Sequence, residues 1–386
     1  MSVSTKPHIT IKNNAQKGGY KFSDILTDEI LSDVCLQVTK CSEYSISYDN
    51  EDYNKGRLAL IEYKGKVIYV SFSEHGKVEG RNSFFQSLTT AFISYCSDTR
   101  KDKRIVFYFL PSISGNFEGD YFRFMYRLMA TNGVEFLNAG AFLENPADKF
   151  SAIDDIISAR SLNRRRNEGN NSTYITRSAK GVTQIYGKTY GASKKETTLL
   201  CLAAARLSRN VELYEICEKD LKELPAPDKE AIQKMGNVEI IPTNRIMDKN
   251  KFETDSNYRS PAFIYNLFQK FQKKECAFCE CNIPEIIAAA HIWAVSEIKR
   301  AGKLSDDEKY SCATDGENGL WLCHNHHKMF DENLVTITKT GSIIYGGGLN
   351  EIYKPFIDKT TTKQTIPSFV LTDKFSEYLD LRAKTF

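Results

Sequence analysis

The chain has 386 residues, of which 41% are hydrophobic, enough apolar material for roughly two or three folded domains. No run of about 18 apolar residues is present, which argues against transmembrane helices. The polar segment Met1–Lys17 lacks the apolar core of a secretory signal, so we expect a cytoplasmic protein without a membrane partner. A formal net charge of +3 does not by itself indicate a nucleic-acid partner.

The first 160 residues alternate between strand-like and helix-like patterns. Apolar runs predict strands at Leu58–Tyr63, Val67–Phe72 and Ile105–Leu110. Longer stretches predict helices at Ser83–Cys96 and Asp120–Met129. We therefore expect a mixed α/β region here.

The next part of the chain, residues 161–244, opens with the polar stretch Asn163–Thr173, whose composition favours a loop. A short hairpin is predicted over Ile175–Tyr190, and an amphipathic helix is predicted after Ser193.

Two short motifs with metal-ligand spacing lie near the C-terminal end. Cys276 and Cys279 form a C-x2-C pair, and Cys323 and His326 form a C-x2-H pair. Three thiolates and one imidazole suit a tetrahedral structural zinc ion. In a long chain without an export signal, metal ligation explains these cysteines better than disulfide bonds. Two nearby cysteines are spare candidates, Cys281 and Cys312.

Four polar residues lie between these pairs or directly after them. His291 lies in the apolar run Ala288–Trp293, and Asn318 precedes a glycine. His327 and Asp331 are four residues apart on a predicted helix, so their side chains share one face. Taken singly, such residues more often belong to a core or a turn. Their order and spacing favour a common functional site.

This set of residues resembles the His-Asn-His signature of HNH endonucleases. The segments Ala290-His-Ile, Asn318-Gly-Leu-Trp-Leu-Cys and His326-His-Lys-Met-Phe-Asp are similar to the family branch found in bacterial restriction endonucleases. The resemblance covers roughly residues 270–340 and implies a ββα-metal fold. It predicts an α+β multi-domain protein in which a mixed α/β region precedes a C-terminal zinc-containing HNH domain.

The resemblance also implies a catalytic role for each polar residue in phosphodiester hydrolysis. His291 is expected to be the general base that takes a proton from water. His327 is expected to hold a catalytic divalent ion, Mg²⁺ or Mn²⁺, which stabilises charge in the transition state. Asn318 is expected either to orient the loop of His291 or to join the ligands.

One position departs from the family pattern. Many members carry an Asp or His ligand directly before the base histidine, whereas this chain has Ala290. Asp331 is our candidate for the missing ligand. A carboxylate at that position would equally well brace the helix, and the sequence leaves both interpretations open.

A basic stretch precedes the nuclease-like segment. Between Arg160 and Lys195 there are nine basic residues and one acidic residue, a net charge of +8. A solvated surface is one explanation, and phosphate contact is the other. We predict DNA contacts from Arg164, Arg165, Arg166, Arg177, Lys194 and Lys195.

The sequence therefore predicts a sequence-specific double-stranded DNA endonuclease similar to type II restriction enzymes. A homodimer would match a symmetric target site. We predict four parts: residues 1–160 for recognition or dimerisation, 161–244 for DNA contact, 245–345 for the HNH nuclease, and 346–386 as a tail. Two alternatives remain: an anti-phage effector with a ligand-activated, non-specific DNase, and a zinc-dependent nucleic-acid-binding protein that does not cleave.

A second nuclease-like pattern lies in the first region. Asp52, Glu62 and Lys64 have the spacing of the paired-acid and Glu-x-Lys type of nuclease. Charged residues alternating on an exposed strand are a more common explanation.

Overall fold

The computed structural model of the protein describes residues 6–12, 26–49, 58–73, 86–111, 120–141, 143, 148–162, 173–188, 193–216, 226–243, 245–255, 259–347 and 349–384. The chain divides into two compact units. Unit 1 comprises Met1–Asn163, Tyr190–Val211 and Leu224–Glu239, and unit 2 comprises Arg164–Thr189, Glu212–Glu223 and Ile240–Phe386. The segment 161–244 thus contributes to both units. The four-part domain division stays a prediction.

Unit 1 contains a six-stranded mixed sheet with the order β2-β1-β3-β4-β5-β6. Its strands are β1 (His8–Lys12), β2 (Ser45–Asp49), β3 (Leu58–Tyr63), β4 (Lys66–Phe72), β5 (Lys103–Tyr108) and β6 (Val134–Leu137). β3 and β4 form an antiparallel hairpin, whereas β4, β5 and β6 run parallel. Every residue of β4 after Lys66 is buried, as expected of a central strand covered on both faces.

The described helices of unit 1 are α1 (Asp28–Thr39), α2 (Gln86–Ser97), α3 (Asp120–Thr131), α4 (Ile153–Leu162), α5 (Ser193–Leu207) and α6 (Ala226–Gln233). α1 begins at the N-cap Thr27, whose side chain accepts a hydrogen bond from the Ile30 amide. α3 buries an apolar stripe that includes Phe122, Met125 and Met129, the spacing that the helical period requires.

Two residues of the second nuclease-like pattern, Glu62 and Lys64, lie within the described part of this sheet. Glu62 lies on β3 and forms an ion pair with Arg100, with 2.5 Å between Oε1 and Nη1. Lys64 lies in the β3–β4 turn at a positive φ of 48°, so it does not continue the strand beside Glu62. Asp52 lies outside the described residues. The contacts of Glu62 and Lys64 therefore give no support to a second catalytic centre.

Unit 2 contains a four-stranded sheet with the order β10-β9-β8-β7 and two small hairpins. Its strands are β7 (Thr173–Arg177), β8 (Thr183–Lys188), β9 (Val211–Ile216), β10 (Val238–Thr243), β11 (Ile287–His291), β12 (Gly319–Cys323), β13 (Val335–Ile337) and β14 (Ile343–Tyr345). β9 and β10 begin where the chain passes between the two units.

The described helices of unit 2 are α7 (Arg245–Thr254), α8 (Pro261–Phe271), α9 (Val295–Arg300), α10 (Asp306–Thr314), α11 (His324–Asp331), α12 (Lys354–Thr360) and α13 (Asp373–Ala383). α10 begins with a capping box between Ser305 and Glu308. Among the described helices of both units, none has the length and hydropathy needed to cross a membrane.

The predicted ββα unit is formed by β11, β12 and α11. β11 and β12 are antiparallel, with His291 opposite Gly319, and α11 starts directly after β12 at His324. Gly319 is required by packing, because a Cβ there would lie 2.6 Å from Phe263 Cζ and 2.7 Å from Leu267 Cδ2 on α8. α8 can therefore lie directly against the start of β12.

The C-terminal segment packs into the same core as the ββα unit. Its buried side chains Ile357, Val370 and Phe375 belong to the apolar cluster that also contains Trp321 and Phe330. Removing this segment from that core would expose those side chains to water.

Replacing Gly319 with alanine is expected to reduce the free energy of unfolding by about 1–3 kcal/mol, because the added methyl group overlaps two buried side chains. Urea denaturation of the full chain measures this. Gly302→Ala is the matched control, since a Cβ at that position meets no atom within 4 Å. Equal stabilities of the two variants would contradict the packing argument.

Candidate active site

The predicted zinc ligands come together in unit 2. The Sγ atoms of Cys276, Cys279 and Cys323 and a ring nitrogen of His326 all lie within 4.8 Å of one another. Cys279 Sγ is 3.9 Å from Cys323 Sγ, and His326 Nδ1 is 3.2 Å from Cys323 Sγ and 3.4 Å from Cys276 Sγ. Tetrahedral zinc with bonds of about 2.3 Å to sulfur and about 2.0 Å to nitrogen places its ligands about 3.5–3.8 Å apart. The four side chains therefore fit a zinc ion.

Neighbouring groups orient these ligands. His326 Nε2 is 3.1 Å from the Thr361 hydroxyl, which leaves Nδ1 facing the sulfur atoms. Hydrogen bonds from Cys323 and His326 lower the pKa of the Cys276 thiol, and the same interaction raises the pKa of Cys323. Cys276 is therefore the member of this pair that forms the metal-binding thiolate more readily. Lys363 Nζ donates to the Cys276 carbonyl at 2.9 Å. Two residues far along the chain from the cysteine pairs, Thr361 and Lys363, thus support the cluster.

His291 stands at the end of β11 with a defined ring orientation. Its Nε2 lies 2.9 Å from the Ala313 carbonyl on α10, and its ring stacks on Phe263 with 3.8 Å between centroids. A carbonyl oxygen only accepts, so Nε2 carries the proton and Nδ1 is the basic nitrogen. Burial, with a smaller effect from the charge of Arg259, lowers the pKa of His291 to about 4. The imidazole is therefore neutral at pH 7.

Asn318 is fully buried and makes contacts that favour a positioning role. Its Oδ1 accepts from the Trp293 amide at 2.8 Å, and its Nδ2 donates to the carbonyls of Trp293 and Cys312, both at 3.1 Å. The backbone carbonyl of Asn318 also accepts from the Ile292 amide at 3.0 Å. Both ends of the Asn318 side-chain amide thus hold the loop that follows His291. Asn318 Oδ1 already accepts a hydrogen bond from Trp293, which favours positioning over metal ligation.

His327 and Asp331 face each other across one turn of α11. His327 Nε2 is 3.5 Å from Asp331 Oδ2 and 3.4 Å from Arg259 Nη2. Because a guanidinium only donates, the Arg259 contact requires an unprotonated Nε2. Burial lowers the pKa of His327, which favours that form. A neutral imidazole nitrogen and a carboxylate oxygen in this arrangement suit two ligands of one cation, and the same contact equally suits a brace within α11.

Arg259 is the residue that motif reasoning missed. It lies before α8, far from the signature in sequence, but its side chain contacts His327. Its charge contributes to the lowered pKa values of His291 and His327. No local sequence pattern marks Arg259, because the contact depends on how α8 packs against the ββα unit.

Ala290 is fully buried and lies opposite Leu320 in the β11–β12 register. It therefore adds no ligand atom beside His291. Among the described residues, the zinc-type cluster is the one group of three or more His, Cys, Asp or Glu side chains with ligand spacing. A catalytic ion would have to take its remaining ligands from water and substrate oxygens, which is common for Mg²⁺.

The predicted DNA-contacting residues have different positions. Arg164, Arg165 and Arg166 lie outside the described residues, as does the side chain of Lys194. Arg177 is partly exposed on β7, with 3.7 Å between its Nη1 and Glu285 Oε1. Lys195 is only 9% exposed, which disfavours direct contact with a phosphate.

Arg160, which opens the basic stretch, is also buried. Its Nη2 lies 2.5 Å from Glu196 Oε1, and both side chains are at most 4% exposed. A guanidinium in such an ion pair within unit 1 is unavailable to DNA. The net charge of +8 in the sequence therefore overstates the positive surface that this stretch presents.

Comparison with known families agrees with this geometry. Residues 276–338 match the family model described as HNH endonuclease. The match spans the zinc-type cluster and the ββα unit, so this part of the chain has the sequence and the arrangement of a nuclease domain acting on nucleic acid. No curated protein matches the chain.

Replacing Cys276 with serine is expected to abolish the binding of about one zinc ion per chain and to lower the melting temperature, because a buried ligand of the cluster is lost. Metal analysis and thermal unfolding of the purified protein measure both. Cys281→Ser is the matched control, since Cys281 lies nearby but outside the four-residue cluster. Loss of zinc in both variants, or in neither, would contradict the ligand assignment.

Proposed function

We propose that the protein is a sequence-specific double-stranded DNA endonuclease similar to type II restriction enzymes. The observation that carries the proposal is the placement of a neutral His291, with its basic Nδ1 defined by the Ala313 contact, within electrostatic range of His327 and Arg259. General base and phosphate-binding groups in one place are what phosphodiester hydrolysis requires.

In this mechanism His291 Nδ1 takes a proton from the attacking water. The hydrogen bond to Ala313 and the stack on Phe263 hold the ring in one orientation, so little reorganisation is needed when the proton moves. After the transfer the ring is a charged imidazolium, which is less stable in its buried surroundings than it would be in water. It therefore releases its proton readily.

His327 and Asp331 would hold the divalent ion, Mg²⁺ or Mn²⁺. When bound, such an ion stabilises negative charge on a phosphate oxygen and on the leaving oxygen. Arg259, beside His327, is suited to contact the same phosphate through its guanidinium N–H groups. The structural zinc ion would be held separately by the three cysteines and His326.

The proposal of sequence-specific cleavage draws on the size of the remaining chain. An HNH module contacts mainly backbone and has little sequence preference of its own. Unit 1 has its own six-stranded sheet, and we assign recognition or dimerisation to it. DNA contact is assigned to Arg164–Arg166, Arg177 and Lys194. A homodimer would let two sites cut both strands, and the reduced thiols that zinc ligation needs fit a cytoplasmic location.

Cleavage of unmethylated phage DNA in the presence of Mg²⁺ or Mn²⁺ tests the proposal. The wild-type chain should give discrete bands on a gel, and His291→Ala should lower the rate by about 10²–10⁴-fold, because the general base is lost. His8→Ala, a surface histidine bonded to Ser45 and Ser47 in unit 1, is the control and should cut normally.

The pH dependence provides a second reading of the same assay. Because the pKa of His291 is lowered to about 4, its basic form persists down to that pH, and the rate should stay nearly constant between about pH 6 and 8. An inflection of the cleavage rate near pH 6.5, present in the wild-type chain and in every variant that keeps His291, would contradict a neutral base with a lowered pKa.

The gel also separates the alternatives. A smear in place of bands would favour a non-specific effector, and intact DNA would favour a binding protein that does not cleave.

Asp331→Asn is expected to raise the Mn²⁺ concentration needed for half-maximal cleavage by at least about tenfold, because amide oxygen is a weaker ligand than carboxylate. The matched control is Glu332→Gln, since Glu332 is exposed and paired with Lys328. A lower melting temperature with an unchanged Mn²⁺ requirement would instead assign Asp331 to bracing the helix.

A further inference from the structure

One buried carboxylate of unit 2 has no part in the chemistry proposed above. Asp248 lies on α7 and is 3% exposed. Its Oδ2 accepts a hydrogen bond from the Tyr310 hydroxyl at 2.7 Å and a second one from the Ser260 hydroxyl. Hydrogen bonds to a charged acceptor are about twice as strong as those between neutral groups. This one oxygen therefore holds both hydroxyl groups firmly.

The two hydroxyl groups belong to the helices that hold His291. Ser260 is the N-cap of α8, and Phe263, three residues later, stacks on the imidazole ring with 3.8 Å between centroids. Tyr310 lies on α10, and the carbonyl of Ala313, three residues later, lies 2.9 Å from His291 Nε2. The carboxylate oxygen is thus bonded about one helical turn before each of the two contacts that orient the ring.

Both hydroxyl groups are well defined as donors to this carboxylate. Burial, followed by the charge of Asp248, raises the pKa of the Tyr310 hydroxyl, so the hydroxyl keeps its proton. The Tyr310 ring also packs edge-on against Phe252 of α7. The Ser260 oxygen accepts from the Ala262 amide at 3.0 Å, and its own hydrogen points to Asp248. The same side chain of α7 therefore fixes the start of α8 and the middle of α10.

We propose that Asp248 is a positioning residue for His291, which holds α8 and α10 at the spacing at which Phe263 and the Ala313 carbonyl fix the imidazole ring. The proposal rests on the general-base role of His291 in the function proposed above. Asp248 acts through the two helices and not on the substrate. A ring held in one orientation is what a general base needs, because a small displacement of a reacting group lowers the rate steeply.

Other hydrogen bonds limit the effect of losing Asp248. Asn266 of α8 donates to the Thr314 carbonyl of α10 at 2.8 Å. Asn318 donates to the Cys312 carbonyl of the same helix at 3.1 Å. Without the carboxylate, α8 and α10 should therefore remain paired, while the imidazole between them gains freedom of rotation and contact with water.

This change has a direct consequence for the pKa of His291. Burial is the largest cause of its lowered pKa of about 4, so contact with water should raise that pKa toward the ordinary value. Arg259, which precedes α8, and His327, on α11, also lower it, and both are retained in the variants below. A rise would therefore report the loss of the enclosed position and not the loss of a neighbouring charge.

NMR of the full-length chain with ¹⁵N-labelled histidine measures the position of His291 without DNA. The chain has six histidines, and His291→Ala assigns the signals of this one. The wild type should show one tautomer, with the proton on Nε2. Asp248→Ala should show a mixture of tautomers and a pKa raised to about 5–6.5. Asp248→Asn keeps one acceptor oxygen and should lie between the two.

The cleavage assay gives a second measurement on the same variants. Asp248→Ala should lower the rate at pH 7 by about tenfold. Its rate should also fall as the pH drops below about 6.5, because the raised pKa leaves less unprotonated base, and Asp248→Asn should recover part of both losses. Asp228→Ala is the matched control, since Asp228 is a buried carboxylate of unit 1 that accepts from the Thr198 hydroxyl at 3.1 Å. It should leave the His291 signals and the pH profile unchanged.

The outcomes separate positioning from general support of the fold and from the nuclease function. Zinc content and melting temperature show whether each variant is folded, and Tyr310→Phe, which removes one donor, decides the question if Asp248→Ala unfolds. Wild-type His291 signals in every folded variant, with only a lower melting temperature, would overturn the positioning role. Changed His291 signals, with no cleavage by the wild-type chain, would support positioning and contradict the nuclease function.

Discussion

The buried amide of Asn318 connects the segments that carry the candidate catalytic residues. It bonds both the amide and the carbonyl of Trp293, two residues after His291, and the Cys312 carbonyl on α10. A buried amide that lost these partners would be left unsatisfied at a cost of about 1–3 kcal/mol per group. The loop after His291 therefore has one well-defined position relative to β12 and α11.

The segment between His291 and Asn318 completes this arrangement. It contains α9 and α10, and α10 supplies the Ala313 carbonyl that fixes the tautomer of His291. His291, the proposed base, thus obtains its orientation from α10, a helix that is not part of the His-Asn-His signature. Helix α8 contributes from the other side, through the stack of Phe263 on the same ring.

The C-terminal segment holds the two halves of the site together. Arg382 Nη1 donates to the Ile292 carbonyl at 3.3 Å, and its Nη2 donates to the Phe330 carbonyl. Its guanidinium carbon lies 3.8 Å from the centroid of the Phe330 ring, and burial lowers the pKa of Arg382 to about 10. One buried cation therefore bridges the loop of His291 and the helix of His327, and it remains charged at pH 7.

The sequence determined the types of the zinc ligands and the shared helix face of His327 and Asp331, because both depend on residues close along the chain. The ββα unit was implied by the resemblance to HNH endonucleases. It also indicated three of the six strands in the sheet of unit 1, β3, β4 and β5. Tertiary structure alone decided the contacts of Arg259 and Arg382 and the burial of Arg160 and Lys195. These depend on how distant segments pack, and charge counts along the chain carry no information about which side chains lose their solvent.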